Sequence, residues 1–314
     1  MAGFEALRRA IPIGAHISRW AAPDGWDHRR FDWPSQRDSA RGSILFLGGR
    51  GDVFEKYIET FGHWHAQGWS IASFDWRGQG GSGRCSPAAH CGHVESFADY
   101  GTDLAAFWRE WREGTPGPHV VIGHSMGGYL VLRALVDSVF APDAAVLVAP
   151  MLGLKGPVAA RLGEGLAALM LRLGDPARAA WKGNERPATT ETRQTLLTHD
   201  ADRYADEIWW QLADPLLMTG PPSWNWVAQA FTQTRLLRQD ARLAAMSVPL
   251  LGLIADADRL VDPRAAIATL GQLPDSEICR FGAEAAHEIL READPVRDRA
   301  LAAIDRFLDA RAAA

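Results

Sequence analysis

The chain is poor in several things, and each shortage removes a class of protein. Three cysteines, Cys85, Cys91 and Cys279, cannot form an even disulfide framework, which points to a reducing compartment and, by default, the cytoplasm. No basic block interrupts a net charge of −5, so a nucleic-acid surface is not expected. No apolar run reaches the ~18 residues needed to span a bilayer. Arg8-Arg9 is followed by a proline-containing stretch, not by the apolar core of a signal peptide. Internal repeats and low-complexity segments are lacking too.

Metal-site spacing is also missing. Between Gly62 and Val94 lie His63, His65, Cys85, His90, Cys91 and His93, but without the paired C-x₂-C of a structural zinc site. They read as loop and surface side chains, and no metal or other cofactor is expected. What remains is ordinary for a soluble globular chain: 47% hydrophobic and 23% charged residues over 314 positions. That length suits one large core with an inserted subdomain. The thirteen tryptophans suit core packing and apolar binding walls.

The most informative stretch is Val120 to Leu130, VVIGHSMGGYL. A β-branched run predicts a buried strand, a small-residue cluster a sharp turn, and Tyr129 to Val136 a helix. Ser125 sits at the bend, in the strand–turn–helix context of a G-x-S-x-G nucleophile elbow. Those letters alone arise by chance in roughly one chain in ten of this size, so the context carries the inference. Gly123 and Gly127 let strand and helix approach closely. The Met126 N–H, opening the helix, is placed to bind a developing oxyanion.

Around this elbow the chain alternates strands and helices. Arg29 to Trp33 alternates polar and apolar side chains as an edge strand does. Strands are predicted at Ser43–Leu47, Ser70–Phe74, Ala144–Ala149, Val248–Ala255 and Glu277–Phe281. Asp52 is expected to cap a helix running to about Gln67. Helices follow at Phe97–Trp111, Pro263–Leu270 and Glu288 to about Ala310. The alternation implies an α/β fold with a mostly parallel sheet covered on both faces. The Arg50 N–H, after Gly48-Gly49, is the candidate second oxyanion donor. Asp75 ends a strand, but its Gly-rich surroundings assign it to ordering a loop.

Between residues 151 and 235 the alternation stops. Val158, Leu162, Leu166, Leu169 and Leu173 are roughly helix-spaced, and Trp209, Trp210, Leu212, Leu216, Leu217, Met218, Trp224 and Trp226 follow. This divides the chain into a first core part (1–150), a helical cap (151–235) and a second core part (236–314). Trp209, Trp210, Met218 and Trp224 are candidate substrate-binding residues in the cap.

A serine hydroxyl needs a base, and the base an acid to fix its tautomer. After an elbow serine the order is acid, then histidine. Only His199 and His287 follow Ser125. His199 falls in the cap, ahead of the acids, whereas His287 lies just after the last core strand and is the candidate base. The acid is Asp256 or Asp258, with Asp258 better placed before the Pro263 helix.

Several motifs converge at this point: Gly49-Arg50-Gly51-Asp52-x-x-Glu55-Lys56-Tyr57, Phe74-Asp75-x-Arg77-Gly78-x-Gly80-x-Ser82, His93-Val94-x-x-Phe97-x-x-Tyr100-x-x-Asp103, Gly123-His124-Ser125-Met126-Gly127-Gly128, Asp258-Arg259-x-Val261-Asp262 and His287-Glu288-Ile289-x-x-Glu292. Together they resemble the lysophospholipase L2 and monoacylglycerol lipase branch of the α/β-hydrolase superfamily. Gly48 departs from it, standing where many relatives have histidine. The resemblance implies an α/β-hydrolase fold and a triad of Ser125, Asp258 and His287. It implies Arg50 and Met126 as oxyanion donors, a glycerolipid ester as substrate, no cofactor, and at most peripheral membrane contact. Rival readings on the same scaffold are an acyltransferase and an aminopeptidase, the latter holding a substrate amine with Glu164, Glu185, Glu191 or Glu207. A non-catalytic apolar-ligand binding protein and a membrane-surface module using the cap tryptophans complete the set.

Overall fold

The computed structural model describes residues 8–37, 39–88, 90–155, 160–181 and 191–312. Among them, eight strands form one sheet: β1 (His16–Ala21), β2 (Asp27–Trp33), β3 (Gly42–Leu47), β4 (Trp69–Phe74), β5 (His119–His124), β6 (Ala144–Val148), β7 (Leu250–Ala255) and β8 (Ser276–Phe281). Their order is β1-β2-β4-β3-β5-β6-β7-β8. The first two pairings, β1–β2 and β2–β4, are antiparallel. All later pairings are parallel.

Side-chain alternation explains why the middle of the sheet is buried on both faces. In β3, Leu45 and Leu47 join one apolar cluster, while Ile44 and Phe46 join the other. The first cluster is completed by α2 (Phe97–Glu113) and α3 (Met126–Val136). Tyr100, Leu104, Phe107, Trp108 and Trp111 of α2 are all buried there. The second is completed by α1 (Ile58–Ala66) and α9 (Asp294–Arg311). Between β7 and β8 runs α8 (Pro263–Leu270).

Three local expectations are corrected. The Arg29–Trp33 strand is not at the edge; β1 covers it, with Ala22 N donating to Trp26 O in the connecting turn. A half-buried alternation looks the same in either position. Asp52 does not cap a helix. A 3₁₀ turn at Phe54–Tyr57 precedes α1 without a side-chain cap, because the Asp52 carboxylate turns inward. The last helix is broken: Ile289–Arg291 is a 3₁₀ turn, and Pro295 restarts the chain as α9.

Between β6 and β7 the chain leaves the sheet and forms α4 (Ala160–Arg172), α5 (Glu191–Leu197), α6 (Ala201–Ala213) and α7 (Trp224–Arg238). Val158 lies outside the described residues, whereas Leu166, Leu169 and Leu173 are exposed. Among the described residues no helix is long and apolar enough to cross a membrane.

Candidate active site

Ser125 occupies the bend between β5 and α3 with φ 52° and ψ −114°. A non-glycine residue there stores roughly 1–3 kcal/mol of backbone strain. The surroundings enforce it. Ser125 N donates to Val148 O at 3.0 Å, and Ser125 O accepts from Met151 N at 2.9 Å. A methyl group on Gly127 would lie 2.2 Å from Leu47 O, so only glycine lets the helix start this close to β3.

His287 follows β8 and is buried. Its Nε2 lies 2.8 Å from Ser125 Oγ, and its Nδ1 lies 2.6 Å from Asp258 Oδ2. The other Asp258 oxygen accepts from Leu260 N at 2.8 Å and Val261 N at 3.0 Å. Asp258 therefore approaches the histidine with its orientation set by the backbone. Asp256, two residues earlier, faces outward and pairs with Arg280 at 2.9 Å. His199 is tied to Glu292 at 3.0 Å.

Charges follow this geometry. Burial alone would lower the pKa of His287, but Asp258, then Glu288 and Asp52, hold it above the ordinary 6.5. Burial alone would raise Asp258, but His287 and the two backbone N–H groups hold it below the usual carboxylate range. The imidazole thus has its Nδ1 proton directed at Asp258 and its Nε2 left to face the serine hydroxyl.

The Gly48–Gly51 loop closes against this pair. A methyl on Gly49 would sit 2.9 Å from Ser125 Cβ. The amides on either side of Arg50 are already engaged: Gly49 N donates to Asp52 Oδ2 at 2.7 Å and Gly51 N to Gln79 Oε1 at 2.6 Å. Trp76 Nε1 fixes Gly48 O at 2.8 Å. Among the described residues no acceptor meets Arg50 N. Met126 N, in the first turn of α3, lies where helical N–H groups lack an intrahelical partner.

Behind His287 lies a buried charge cluster whose members the sequence reading did not bring together. Lys56 Nζ contacts Asp52 at 2.5 Å, Glu288 at 2.6 Å and Glu207 of α6 at 3.2 Å. Arg193 of α5 pairs with Glu207 at 2.8 Å, and Arg291 pairs with Glu288. Asp52 also accepts from Tyr57 Oη at 2.9 Å and contacts His124 Nδ1 at 2.8 Å. The signal available was Asp52 and Lys56 at i, i+4 inside one motif, with Glu288 directly after the base. The cap reaches the base loop through its backbone as well, where Glu288 N donates to Leu197 O at 2.7 Å.

The cap candidates have other neighbours. Trp210 Nε1 donates to Arg8 O at 3.0 Å, and Trp209, partly exposed, packs edge-on against it. Met218 is held through its carbonyl by Arg84 at 2.5 Å, and Trp224 N donates to Arg178 O at 3.1 Å. The tryptophan beside Arg50 is Trp226, 5.6 Å from its guanidinium and packed on Phe97. Glu164 is engaged by Arg235 and Thr232 at 3.2 Å, Glu207 belongs to the cluster above, and Glu185 and the Glu191 side chain lie outside the described residues. The loop histidines separate: His63 pairs with Asp305 and His93 with Ser223, His90 meets Met218 O, and His65 stacks on Trp33. Among the described residues no three His, Cys, Asp or Glu side chains group as a metal site would require.

A family model described as serine aminopeptidase, S33, matches residues 38–294. The chain belongs to that family. Within it, the chain is 31% identical to lysophospholipase L2 of Escherichia coli strain K12 over 285 residues, covering 85% of this chain and 80% of that protein. The probable lysophospholipase L2 of Haemophilus influenzae is 26% identical over 279 residues, covering 87% and 86%. Among solved structures, a soluble variant of monoglyceride lipase from Saccharomyces cerevisiae, in complex with a substrate analog, aligns with a TM-score of 0.76 at 18% identity, covering 97% of this chain and 98% of that one. Monoacylglycerol lipase of Paleococcus ferrophilus aligns at 0.70 and 20% identity, covering 90% and 98%. These likenesses and the sheet order identify the fold as that of the α/β-hydrolases.

Proposed function

We propose that this family member is a carboxylic ester hydrolase acting on lipid esters, lysophospholipid or monoacylglycerol, through Ser125, His287 and Asp258. The observation that carries the reading is the unbroken relay of 2.6 and 2.8 Å from Asp258 through His287 to a strained serine. The likeness to the lysophospholipase L2 proteins supports the substrate class.

In this reading His287 Nε2 takes the Ser125 proton as Oγ bonds to the ester carbonyl carbon. The carbonyl oxygen becomes an oxyanion facing the Arg50 and Met126 N–H groups. Collapse breaks the bond to the glycerol oxygen, which receives the proton from His287 Nε2. Water then attacks the acyl-enzyme with His287 again as base, and the fatty acid leaves. Asp258 stays ionised and stabilises the imidazolium. An aminopeptidase would need a free carboxylate in the cap; of the four candidate acids, the two whose side chains are described, Glu164 and Glu207, are already engaged.

Ser125→Ala should lower kcat on a monoacylglycerol or lysophospholipid by roughly 10⁴–10⁶ and abolish labelling by a fluorophosphonate. Near-normal turnover in that variant would refute the assignment.

A further inference from the structure

Arg50 brings two different groups to the site. Its backbone N–H follows Gly49, which packs against Ser125, and is the proposed oxyanion donor; its side chain extends to Gly220. The guanidinium donates from Nη1 to Gly220 O at 2.8 Å and lies over Trp226. Gly92 leaves room beside it, since a methyl there would sit 3.4 Å from Nη1. A guanidinium has five N–H donors, and this single bond is the one it makes among the described residues.

Arg50 is half-buried, and the more deeply buried arginines here are matched with acids. Arg77 meets Asp24 and Asp103, Arg203 meets Glu59, Asp200 and Asp294, and Arg291 meets Glu288 and Glu207. Arg84 lacks a carboxylate but is saturated by the carbonyls of Gly80, Gly83, Leu216 and Met218. Arg50 has neither. Among the described residues no carboxylate comes within 4.0 Å of it. Burial first, then the nearby Arg193, pull its pKa down to about 10, with repulsion from Arg193 outweighing the attraction of Asp52. It is still a full cation at neutral pH. A half-buried guanidinium with most of its donors unused and no carboxylate beside it is a ready site for an anion.

We propose that the Arg50 guanidinium binds the phosphodiester of a lysophospholipid whose ester carbonyl is held by the N–H of the same residue. This deepens the lipid-ester reading and rests on it. In a lysophospholipid the phosphate stands a few bonds from the scissile ester, the separation between the main chain and the tip of one arginine. The planar guanidinium suits two phosphate oxygens at once. A monoacylglycerol presents only neutral hydroxyls to it, so the residue favours the phosphate-bearing class of ester.

The test compares kcat/KM for a lysophosphatidylglycerol and for a monoacylglycerol of the same acyl length. Every substitution at position 50 other than proline keeps the backbone N–H. Arg50→Met should lower the ratio of the two values by about 10- to 100-fold, and Arg50→Lys should fall between. A ratio constant within twofold, even if both activities drop, would overturn the proposal and leave the side chain as a prop for Gly220. A second readout avoids lipids: glycerol 3-phosphate should competitively inhibit wild-type hydrolysis of p-nitrophenyl butyrate, with an inhibition constant about tenfold or more weaker in Arg50→Met. Equal inhibition of both would also overturn it. If wild type cleaves the butyrate but neither lipid, the lipid-ester reading fails. If it cleaves both lipids and the ratio ignores position 50, only the role of Arg50 fails.

Discussion

Two clusters of buried charge flank the Gly48–Gly51 loop, and they are supplied differently with cations. Behind His287, Asp52, Glu207 and Glu288 meet Lys56, Arg193 and Arg291. Burial pushes all three carboxylates toward the neutral form, yet the cations win and hold each below its ordinary pKa, Glu207 at about 2. On the other side, Glu55 and Asp75 share Arg29. Asp75 accepts from Gly81 N at 2.8 Å with one oxygen, while its other oxygen, buried, has no partner. Burial, aided by Glu55 and opposed by Arg29, pushes Asp75 up to about 7. The contrast shows that depth alone does not set the charge of a carboxylate; the ratio of cations to acids does. The matched cluster holds fixed charge behind the candidate base. The unmatched one leaves a proton on or off a loop near neutrality.

The largest effect is expected from unbalancing the matched cluster. Lys56→Met leaves three buried carboxylates against two arginines, so folding stability at pH 7 should drop by about 3–5 kcal/mol. Urea unfolding followed by tryptophan fluorescence measures it. A loss below about 1 kcal/mol would mean that the cluster is not held by its cations, and the comparison would fall.

A smaller effect of different form is expected at Asp75. In the folded chain this carboxyl keeps its proton up to about pH 7; unfolded, it releases it near 3.8. Between those values the folded state binds more protons, so this group makes stability fall as pH rises from about 4 to 7. Asp75→Asn removes that slope, and the variant should gain on wild type by on the order of 2 kcal/mol between pH 5 and pH 8. Parallel unfolding curves at the two pH values would contradict the raised pKa.

How much of this was visible in the sequence follows from the range of the interactions. The strands that read as continuous apolar runs, SILFL and LLGLIA, are buried on both faces, because such runs have no solvent side to offer. The elbow is a local pattern, and its glycines sit where backbone leaves no room for a methyl group, the Leu47 carbonyl at Gly127 and the Gly127–Gly128 backbone at Gly123. Ser125 and His287 are 162 residues apart, yet chain order singled them out, and the fold sets them 2.8 Å apart. Asp52 misled, because an aspartate ahead of a helix looks like a cap whatever lies above it. Its partner His124 is 72 residues away and leaves no local trace. The cap was legible as helical and apolar only. Which face of α6 or α7 meets the core depends on long-range partners such as Arg8 and Arg50, so the position of Trp226 beside Arg50 was not foreseen.

The finest test asks whether the two clusters are electrically separate. His287 must be neutral at Nε2 to accept the serine proton, so kcat/KM should climb with pH through the folded pKa of His287. That pKa lies above 6.5, raised by Asp258, Glu288 and Asp52 in that order, against burial. Removing the second contributor, Glu288→Gln, should move the acid limb toward lower pH by less than one unit, since Asp258 remains in contact and Lys56 still faces Asp52 and Glu207. Asp75 is not among the main contributors to the His287 shift, so Asp75→Asn should leave the limb where it is even as it flattens the stability profile. The measurement is kcat/KM on a neutral ester from pH 5 to 9 for all three proteins. A limb that shifts equally in both variants would mean that the clusters share one field, and the partition by local cation supply would have to be abandoned.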